Sequence, residues 1–164
     1  RMMPPNEIES EILTGQLHIG VVPDLKTLPG LNYLPLYKEQ SLLYCSEQHP
    51  LFKQDLYKIS DDALAQYDAV VPSYAQSAEI KQQQKKLHAT ATSTDREGIA
   101  FLILTGRFIG FLPTHFAQRW VTQDKVRAIE AHGRKFHTNF SVITSKGARS
   151  HLILEAYLEE LANT

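Results

Sequence analysis

The sequence predicts an α/β fold of two lobes, and two observations support that prediction. Segments with strand periodicity alternate with helical segments along the chain, which is typical of α/β layers with largely parallel sheets. Two breaks in the alternation, near Pro72 and near Gly133–Lys135, indicate that the chain crosses between lobes and later returns. We therefore expect lobe I to comprise residues 1–72 and 134–164 and lobe II residues 73–133, with a small-molecule cleft between them.

Composition narrows the class of protein. The chain has 164 residues, of which 43% are hydrophobic, so it can bury one sizeable core or two smaller ones. Its formal net charge is −1 and it has no Lys/Arg block, which argues against strong nucleic-acid binding by this chain. No apolar run approaches the roughly 20 residues of a membrane span. Cys45 is the only cysteine, which excludes an intrachain disulfide and fits a reducing cytoplasm.

Cap and turn residues divide the first lobe into short elements. Asn6 with Glu9 has the spacing of a capping box at the start of a first helix, which Gly15 ends. Ser60 is expected to cap a short helix at Asp61–Gln66. Apolar runs predict four strands, the second and third joined by a charged turn: Leu17–Val22, Leu31–Tyr37, Ser41–Ser46 and Asp68–Val71.

The second lobe contains a polar cap followed by an apolar helix. Ser93, Thr94 and Asp95 are N-cap residue types. Ile99–Leu104 is apolar at every position, so we expect a helix buried nearly all round, and Gly106 ends it. Three further helices are predicted: Gln76–Lys86, a helix that starts at Thr114 and carries Phe116, Trp120 and Val121, and Ala148–Leu161. Four further strands are predicted at Leu87–Thr92, Phe108–Leu112, Val126–Ile129 and Phe136–Thr144.

Three segments resemble, in order, the signatures of the effector-binding domain of LysR-type transcriptional regulators. They are EIESEILTGQLHIGVV (Glu7–Val22), LPLYKEQSLLYCSEQHPLF (Leu34–Phe52) and TSTDREGIAFLILTGRFIGFLP (Thr92–Pro113). The chain departs from the family pattern at His18, where the family has Asp, and at Arg107 and Phe108, which replace small residues. The resemblance implies the periplasmic-binding-protein-like type II fold, in which two α/β lobes enclose an interlobe effector cleft.

By this resemblance the chain is expected to be the effector-binding and oligomerisation domain of a regulator that senses a small molecule, and not an enzyme. The implied partners are an effector with a polar or anionic end and further copies of the chain in a dimer or tetramer. DNA is expected to bind only through an N-terminal helix-turn-helix outside this chain, and the first strand and helix of the domain are also expected to lie outside it. A cytoplasmic location without membrane contact is expected. The alternative is a periplasmic solute-binding protein of the same fold.

Ser93 and Thr94 are the first candidates for effector contact. They match the family position where a hydroxyl at a helix start contacts the effector. A helix N-terminus that points out of a buried layer also attracts anions. The alternative is plain N-capping of the same helix, and both roles can hold at once.

Four further polar residues are candidates for effector contact: Ser73, Tyr74, Gln40 and Ser41. Ser73 and Tyr74 follow the first crossing, at a family position that lines the cleft, and ordinary turn chemistry is the alternative. Gln40 and Ser41 beside the charged turn are further candidates.

The seven histidines show no metal-ligand spacing, so neither a metal nor a cofactor is expected. Cys45 is expected to be a buried structural thiol rather than a redox sensor.

Overall fold

The computed structural model of the chain describes residues 2–130, 133–147, 155–156, 158–160 and 163. The chain forms two compact units. Unit 1 contains Arg1–Lys38 and Thr138–Thr164, and unit 2 contains Glu39–His137. In the described part of the chain, no helix has both the length and the apolar character that crossing a bilayer requires.

Two predictions about the ends of the lobes have different outcomes. The predicted lobe boundaries follow residues 72 and 133, whereas the boundaries of the two compact units follow residues 38 and 137. The predicted division into lobes stays a prediction. The final helix predicted at Ala148–Leu161 falls largely outside the described residues.

Unit 1 is built from α1 (Pro5–Leu13), β1 (Gly20–Pro23), the first part of β2 (Leu31–Ser46) and the last part of β7 (Lys135–Ser145). Helix α1 begins with Pro5, whose fixed φ suits the first turn of a helix. Pro4, and not Asn6, occupies its N-cap position, so the predicted capping box was wrong. Gly15 follows the helix with φ 78°, a left-handed conformation that glycine adopts without a Cβ penalty.

The core of unit 1 joins its helix to its strands. Ile12 of α1, Val22 of β1, Leu31 of β2 and Ile143 of β7 form one cluster, and none is more than 3% exposed. Strand β1 pairs antiparallel with β7, with Gly20 opposite Ile143. Burial of these aliphatic side chains is the main stabilising contribution within this unit.

Unit 2 contains the rest of β2 and then α2 (Asp61–Leu64), β3 (Asp68–Pro72), α3 (Ala78–Lys85), β4 (His88–Ser93), α4 (Arg96–Leu104), β5 (Ile109–Pro113), α5 (Thr114–Val121) and β6 (Val126–Ala128). Its strands lie in the order β2-β5-β3-β4, and β6 pairs with β2. Strand β3 is parallel to β4 and β5, whereas β2 is antiparallel to β5 and β6. The expectation of largely parallel sheets was therefore wrong for the strands beside β2, because periodicity identifies a strand without giving its direction.

Hydrophobic clusters cover both faces of the unit 2 sheet. Side chains alternate between faces along a strand, so Ala69 belongs to one cluster and its neighbour Val70 to the other. Ile80 of α3 packs in the first cluster. Ile103 of α4 and Phe116 of α5 pack in the second. Helices α4 and α5 therefore lie together on one face, and their N-termini follow β4 and β5 directly.

Three details of unit 2 differ from the sequence prediction. Strand β2 is continuous through residues 38–40, because these charged and polar residues include none of the glycine, proline or asparagine that favour a tight turn. Helix α4 is not buried all round, since Phe101 is 70% exposed. Thr114 is the first residue of α5 rather than its cap, and Pro113 stands at the N-cap position without a side-chain hydrogen bond.

Candidate functional site

The parallel strands of unit 2 bring several predicted residues to one edge of its sheet. Strands β3, β4 and β5 run in the same direction and end at Pro72, Ser93 and Pro113, with Pro72 opposite Ser93 in the register. Ligands commonly bind open α/β sheets at the carboxyl ends of parallel strands, beside helix N-termini. We call this region the polar edge and define it as residues 39–41, 72–74, 93–98 and 113–116.

Ser73 and Ser93 are in direct contact at the polar edge. The backbone N–H of Ser73 donates to the carbonyl oxygen of Ser93 over 2.8 Å, and Ser73 Oγ donates to the same oxygen over 3.2 Å. These bonds join the residue after β3 to the end of β4. The neighbouring Tyr74 is 40% exposed. Burial raises the pKa of Tyr74, and the charges of Arg96 and Glu39 act on it in opposite directions.

Asp95, and neither Ser93 nor Thr94, is the N-cap of α4. Its Oδ1 accepts a hydrogen bond from the backbone N–H of Gly98 over 2.7 Å. Ser93 Oγ donates to the carbonyl oxygen of Asp95 over 3.0 Å and accepts from the N–H of the same residue over 3.4 Å. The alternative role, capping of this helix by Ser93 or Thr94, was therefore wrong.

The first turn of α4 leaves polar groups available at the polar edge. A Cβ on Gly98 would overlap Ser93 Oγ, so glycine here lets Ser93 lie against the helix start. Thr94 is exposed, and its hydroxyl has no hydrogen bond to any residue that the structure describes. The amides of Arg96 and Glu97 lie in the first turn, where a helix supplies no acceptor, and they too have no partner among the described residues. One hydroxyl and two amides can therefore donate to a ligand.

Glu39, Arg96 and His115 form a cluster of ionisable side chains that no sequence motif indicated. Glu39 is only 6% exposed, and its Oε2 lies 3.5 Å from Arg96 Nη1 and 3.7 Å from His115 Nε2. Arg96 is the first residue of α4, and its guanidinium carbon lies 5.8 Å from the ring centroid of Phe116. A charged residue inside a run of strand-forming residues was the available signal for Glu39.

Gln40 and Ser41 lie beside Glu39 in β2 but make no hydrogen bond to the other candidates within the described part of the chain. Ser41 is 4% exposed and stands opposite Pro113 of β5. Cys45 further along the strand is fully buried and unpaired. Burial raises its pKa to about 11, which agrees with the predicted structural thiol.

A cavity of unit 2 lies outside the polar edge, and the described residues contain no group suited to a metal ion. This cavity of about 320 Å³ contains none of the predicted site residues; it is lined by Phe52, Leu56, Tyr57, Val121, Asp124, Val126, Arg127, Ala128 and Glu130. Among the residues that the structure describes, no group of three or more His, Cys, Asp or Glu side chains is placed to hold a metal ion.

In the part of the chain that the structure describes, parallel strands end beside two open helix amides, the hydroxyl of Thr94 and the buried carboxylate of Glu39, which are features of a small-molecule-binding domain. The chain belongs to the LysR substrate binding domain family, whose model matches residues 1–164. It is 45% identical over 161 residues to the HTH-type transcriptional activator BauR of Pseudomonas aeruginosa, which covers 98% of this chain and 53% of that protein. The chain thus spans about half the length of this curated relative. A helix-turn-helix activator as relative favours a regulator over the solute-binding alternative.

Solved structures of LysR-type domains have the same fold. The regulatory domain of CcmR from Synechocystis PCC6803, in complex with 2-PG, gives a TM-score of 0.79 at 15% identity, covering 98% of this chain and 79% of that chain. The effector binding domain of QuiR, in complex with shikimate, gives 0.78 at 15% identity, covering 98% and 78%. The predicted fold class, α/β of the periplasmic-binding-protein-like type II, is therefore confirmed.

Proposed function

We propose that the chain is the effector-sensing and oligomerisation domain of a LysR-type transcriptional regulator, and that the polar edge of unit 2 binds its effector. The effector is a small molecule with a polar or anionic group. Its binding favours one conformation and shifts the population by the difference in affinity. A helix-turn-helix elsewhere in the full protein contacts DNA, in the cytoplasm. The proposal includes no catalytic step, and turnover of a bound ligand would contradict it.

The cap of α4 is the observation on which this proposal depends. Because Asp95 caps the helix, the Thr94 hydroxyl and the amides of Arg96 and Glu97 have no structural partner among the described residues. A polar group at a helix start that forms no internal hydrogen bond can donate to a ligand without any loss of structure. Ser73 supports the same edge by donating two hydrogen bonds to the carbonyl oxygen of Ser93.

The test compares alanine variants of the full-length protein in calorimetric titrations. A panel of small carboxylates is first screened by thermal shift, and each binder is then titrated into the wild type and Thr94→Ala. Loss of one hydrogen bond of about 0.5–1.5 kcal/mol, or a stronger one to an anion, should weaken binding about three- to thirtyfold. Thr27→Ala is the matched control, because Thr27 is an exposed threonine outside the polar edge whose hydroxyl also has no hydrogen bond to a described residue. If Ser93→Ala and Thr94→Ala both leave affinity unchanged in a folded protein, the effector binds elsewhere.

We propose β4, and not helix α5, as the oligomer interface. Phe116 and Ala117 of α5 are buried, and Trp120 and Val121 pack against the same cluster, so this helix has no spare apolar face. Among the described residues, strand β4 stands at the end of the strand order of unit 2, so its outer backbone groups can pair with those of a second copy. Light scattering should show at least a dimer for the full-length protein, and Ala89→Lys on β4 should weaken it; an unchanged oligomer would contradict this placement.

A further inference from the structure

A second cavity of unit 2 lies at the edge of the sheet opposite the polar edge. It has a volume of about 260 Å³, and it is lined by Ser46, Glu47, Gln48, Leu104, Trp120 and Lys125. The pairing of β2 with β5 gives its position, because Ser41 stands opposite Pro113 at the polar edge and Tyr44 opposite Gly110 near the start of β5. Ser46 ends β2 beyond Tyr44, so this cavity, which we call the Trp120 cavity, shares no residue with the polar edge.

Contacts within unit 2 hold the walls of the Trp120 cavity in place. Gly106 follows α4 with φ 79°, and a Cβ there would lie 2.7 Å from Gln48 Cβ. Glycine therefore lets the segment after β2 approach the end of this helix. The centroid of the Trp120 ring lies 5.3 Å from that of Phe116, in an edge-on arrangement, and 4.9 Å from the guanidinium carbon of Arg119. The cavity is thus formed before a ligand binds, which lowers the entropy that binding loses.

Ser46 contributes a buried hydroxyl without a hydrogen bond. It is 1% exposed, and its Oγ has no partner among the described residues. Side chains alternate along a strand, so Ser46 faces the same side of the sheet as Tyr44 and as Val126, which stands opposite it in β6. Leu104 and Trp120 pack on that side. A buried hydroxyl without a partner lowers stability, whereas a ligand hydroxyl in the cavity could bond to it.

The cavity also carries one negative and one positive side chain. Glu47 and Lys125 are both exposed, and the backbone N–H of Glu47 donates to the carbonyl oxygen of Lys125 over 2.9 Å. Their charged groups make no ion pair or hydrogen bond within the described part of the chain. Gln48 adds an amide, which both donates and accepts. Because the two charges offset each other, the cavity offers hydrogen-bonding groups of every kind without a preference for a charged ligand.

We propose that the Trp120 cavity binds a neutral polyhydroxylated molecule, a monosaccharide or a sugar alcohol, as a second ligand of the regulator. A hydroxyl is both a donor and an acceptor, so neighbouring hydroxyls of one molecule can donate to Glu47, accept from Lys125 and bond to Ser46. The C–H groups of the same molecule pack against Leu104 and the indole of Trp120. A ligand with a single charge is attracted by one of Glu47 and Lys125 and repelled by the other.

The test titrates hexoses and hexitols into the full-length protein by calorimetry, beside hexanediols, which keep the carbon chain and lack most of the hydroxyls. At least one neutral polyol should bind with a dissociation constant below about 1 mM and at least about tenfold more tightly than the hexanediols. It should also change the fluorescence of the wild type. That change should be absent in Trp120→Phe, because the indole lies in the cavity wall.

Ser46→Ala distinguishes a binding role from a structural one. Loss of one hydrogen bond should weaken polyol binding about two- to tenfold. The ligand-free variant should be as stable as the wild type or more so, because the substitution removes a buried hydroxyl without a partner. Glu47→Gln, at an exposed position, should weaken binding as well. Ser141→Ala, at a buried serine of β7 in unit 1, is the matched control.

The outcomes separate this second site from the proposed effector site. If no polyol binds, or if sugar acids or amino sugars bind more tightly than every neutral polyol, the ligand class is wrong. Unchanged polyol affinity in both Ser46→Ala and Glu47→Gln would place the ligand outside the Trp120 cavity. If Thr94→Ala weakens polyol binding and Ser46→Ala does not, the polyol binds at the polar edge and the second site is wrong.

Discussion

Replacing Asp61 by alanine should destabilise unit 2 by about 1.5–3 kcal/mol, because it removes the acceptor of two hydrogen bonds from a buried guanidinium. Arg134 is 7% exposed. Its Nε and Nη2 donate to Asp61 Oδ1 over 3.1 and 3.0 Å, and Nη2 also donates to the carbonyl oxygen of Ile59 over 2.6 Å. Asp61 keeps half of its side-chain surface in solvent, which places the loss in the lower half of that range.

Asp62 offers a matched control for this substitution. Both aspartates lie in the first turn of α2, so each alanine variant loses a similar favourable interaction with the helix dipole, up to about 1 kcal/mol. Only Asp61 contacts Arg134. The difference between Asp61→Ala and Asp62→Ala, in urea unfolding followed by circular dichroism, therefore measures the pair with Arg134 together with the exposed contact of Asp61 Oδ2 with Lys86 Nζ at 3.5 Å. Equal losses in the two variants at neutral pH would refute the assigned role of Arg134.

The pH dependence of the same pair has a definite sign. The hydrogen bond from Arg134 lowers the pKa of Asp61 below its ordinary value of 3.8, against a smaller opposing effect of burial. A carboxyl whose pKa is lower in the folded state stabilises that state fully above 3.8 and loses this contribution as pH falls through the lowered value. The difference between wild type and Asp61→Ala should therefore be constant near neutral pH and shrink in acid below 3.8.

Three further predictions concern α4 and β2. Asp95→Ala should lower the free energy of unfolding by about 0.5–2 kcal/mol through loss of the cap, while Thr94→Ala stays within about 0.5 kcal/mol; the reverse order in urea unfolding would contradict the assigned cap. Ile103→Ala should lower the free energy of unfolding by about 2–5 kcal/mol, whereas Phe101→Ala, on the exposed face of the helix, should change it little. Equal losses in the two variants would contradict the packing of α4. Cys45, whose pKa burial raises to about 11, should resist alkylation until the protein unfolds, and peptide mapping that finds rapid modification of the native protein would contradict its burial.

The sequence by itself determined those features that depend on residues a few positions apart. Ser60 was predicted to cap α2, and its Oγ accepts from the N–H of Ala63 over 3.1 Å. Gly15 was predicted to end α1 and does so with a positive φ. Apolar runs identified strands β3 to β6 of unit 2, whereas β2 was predicted as two strands, because burial of a strand leaves an apolar pattern in the chain. Ordered short motifs were enough to indicate the family.

Tertiary structure alone decided how distant residues meet. Glu39 and Arg96 are 57 positions apart, and Asp61 and Arg134 are 73 apart, so no local pattern relates them. Three adjacent residues before α4 were suitable caps, and the choice of Asp95 depends on Ser93, whose carbonyl oxygen accepts hydrogen bonds from Ser73, the residue after a different strand. Local propensity ranks such residues equally, whereas strand pairing places only one of them where it can reach the third amide of the helix.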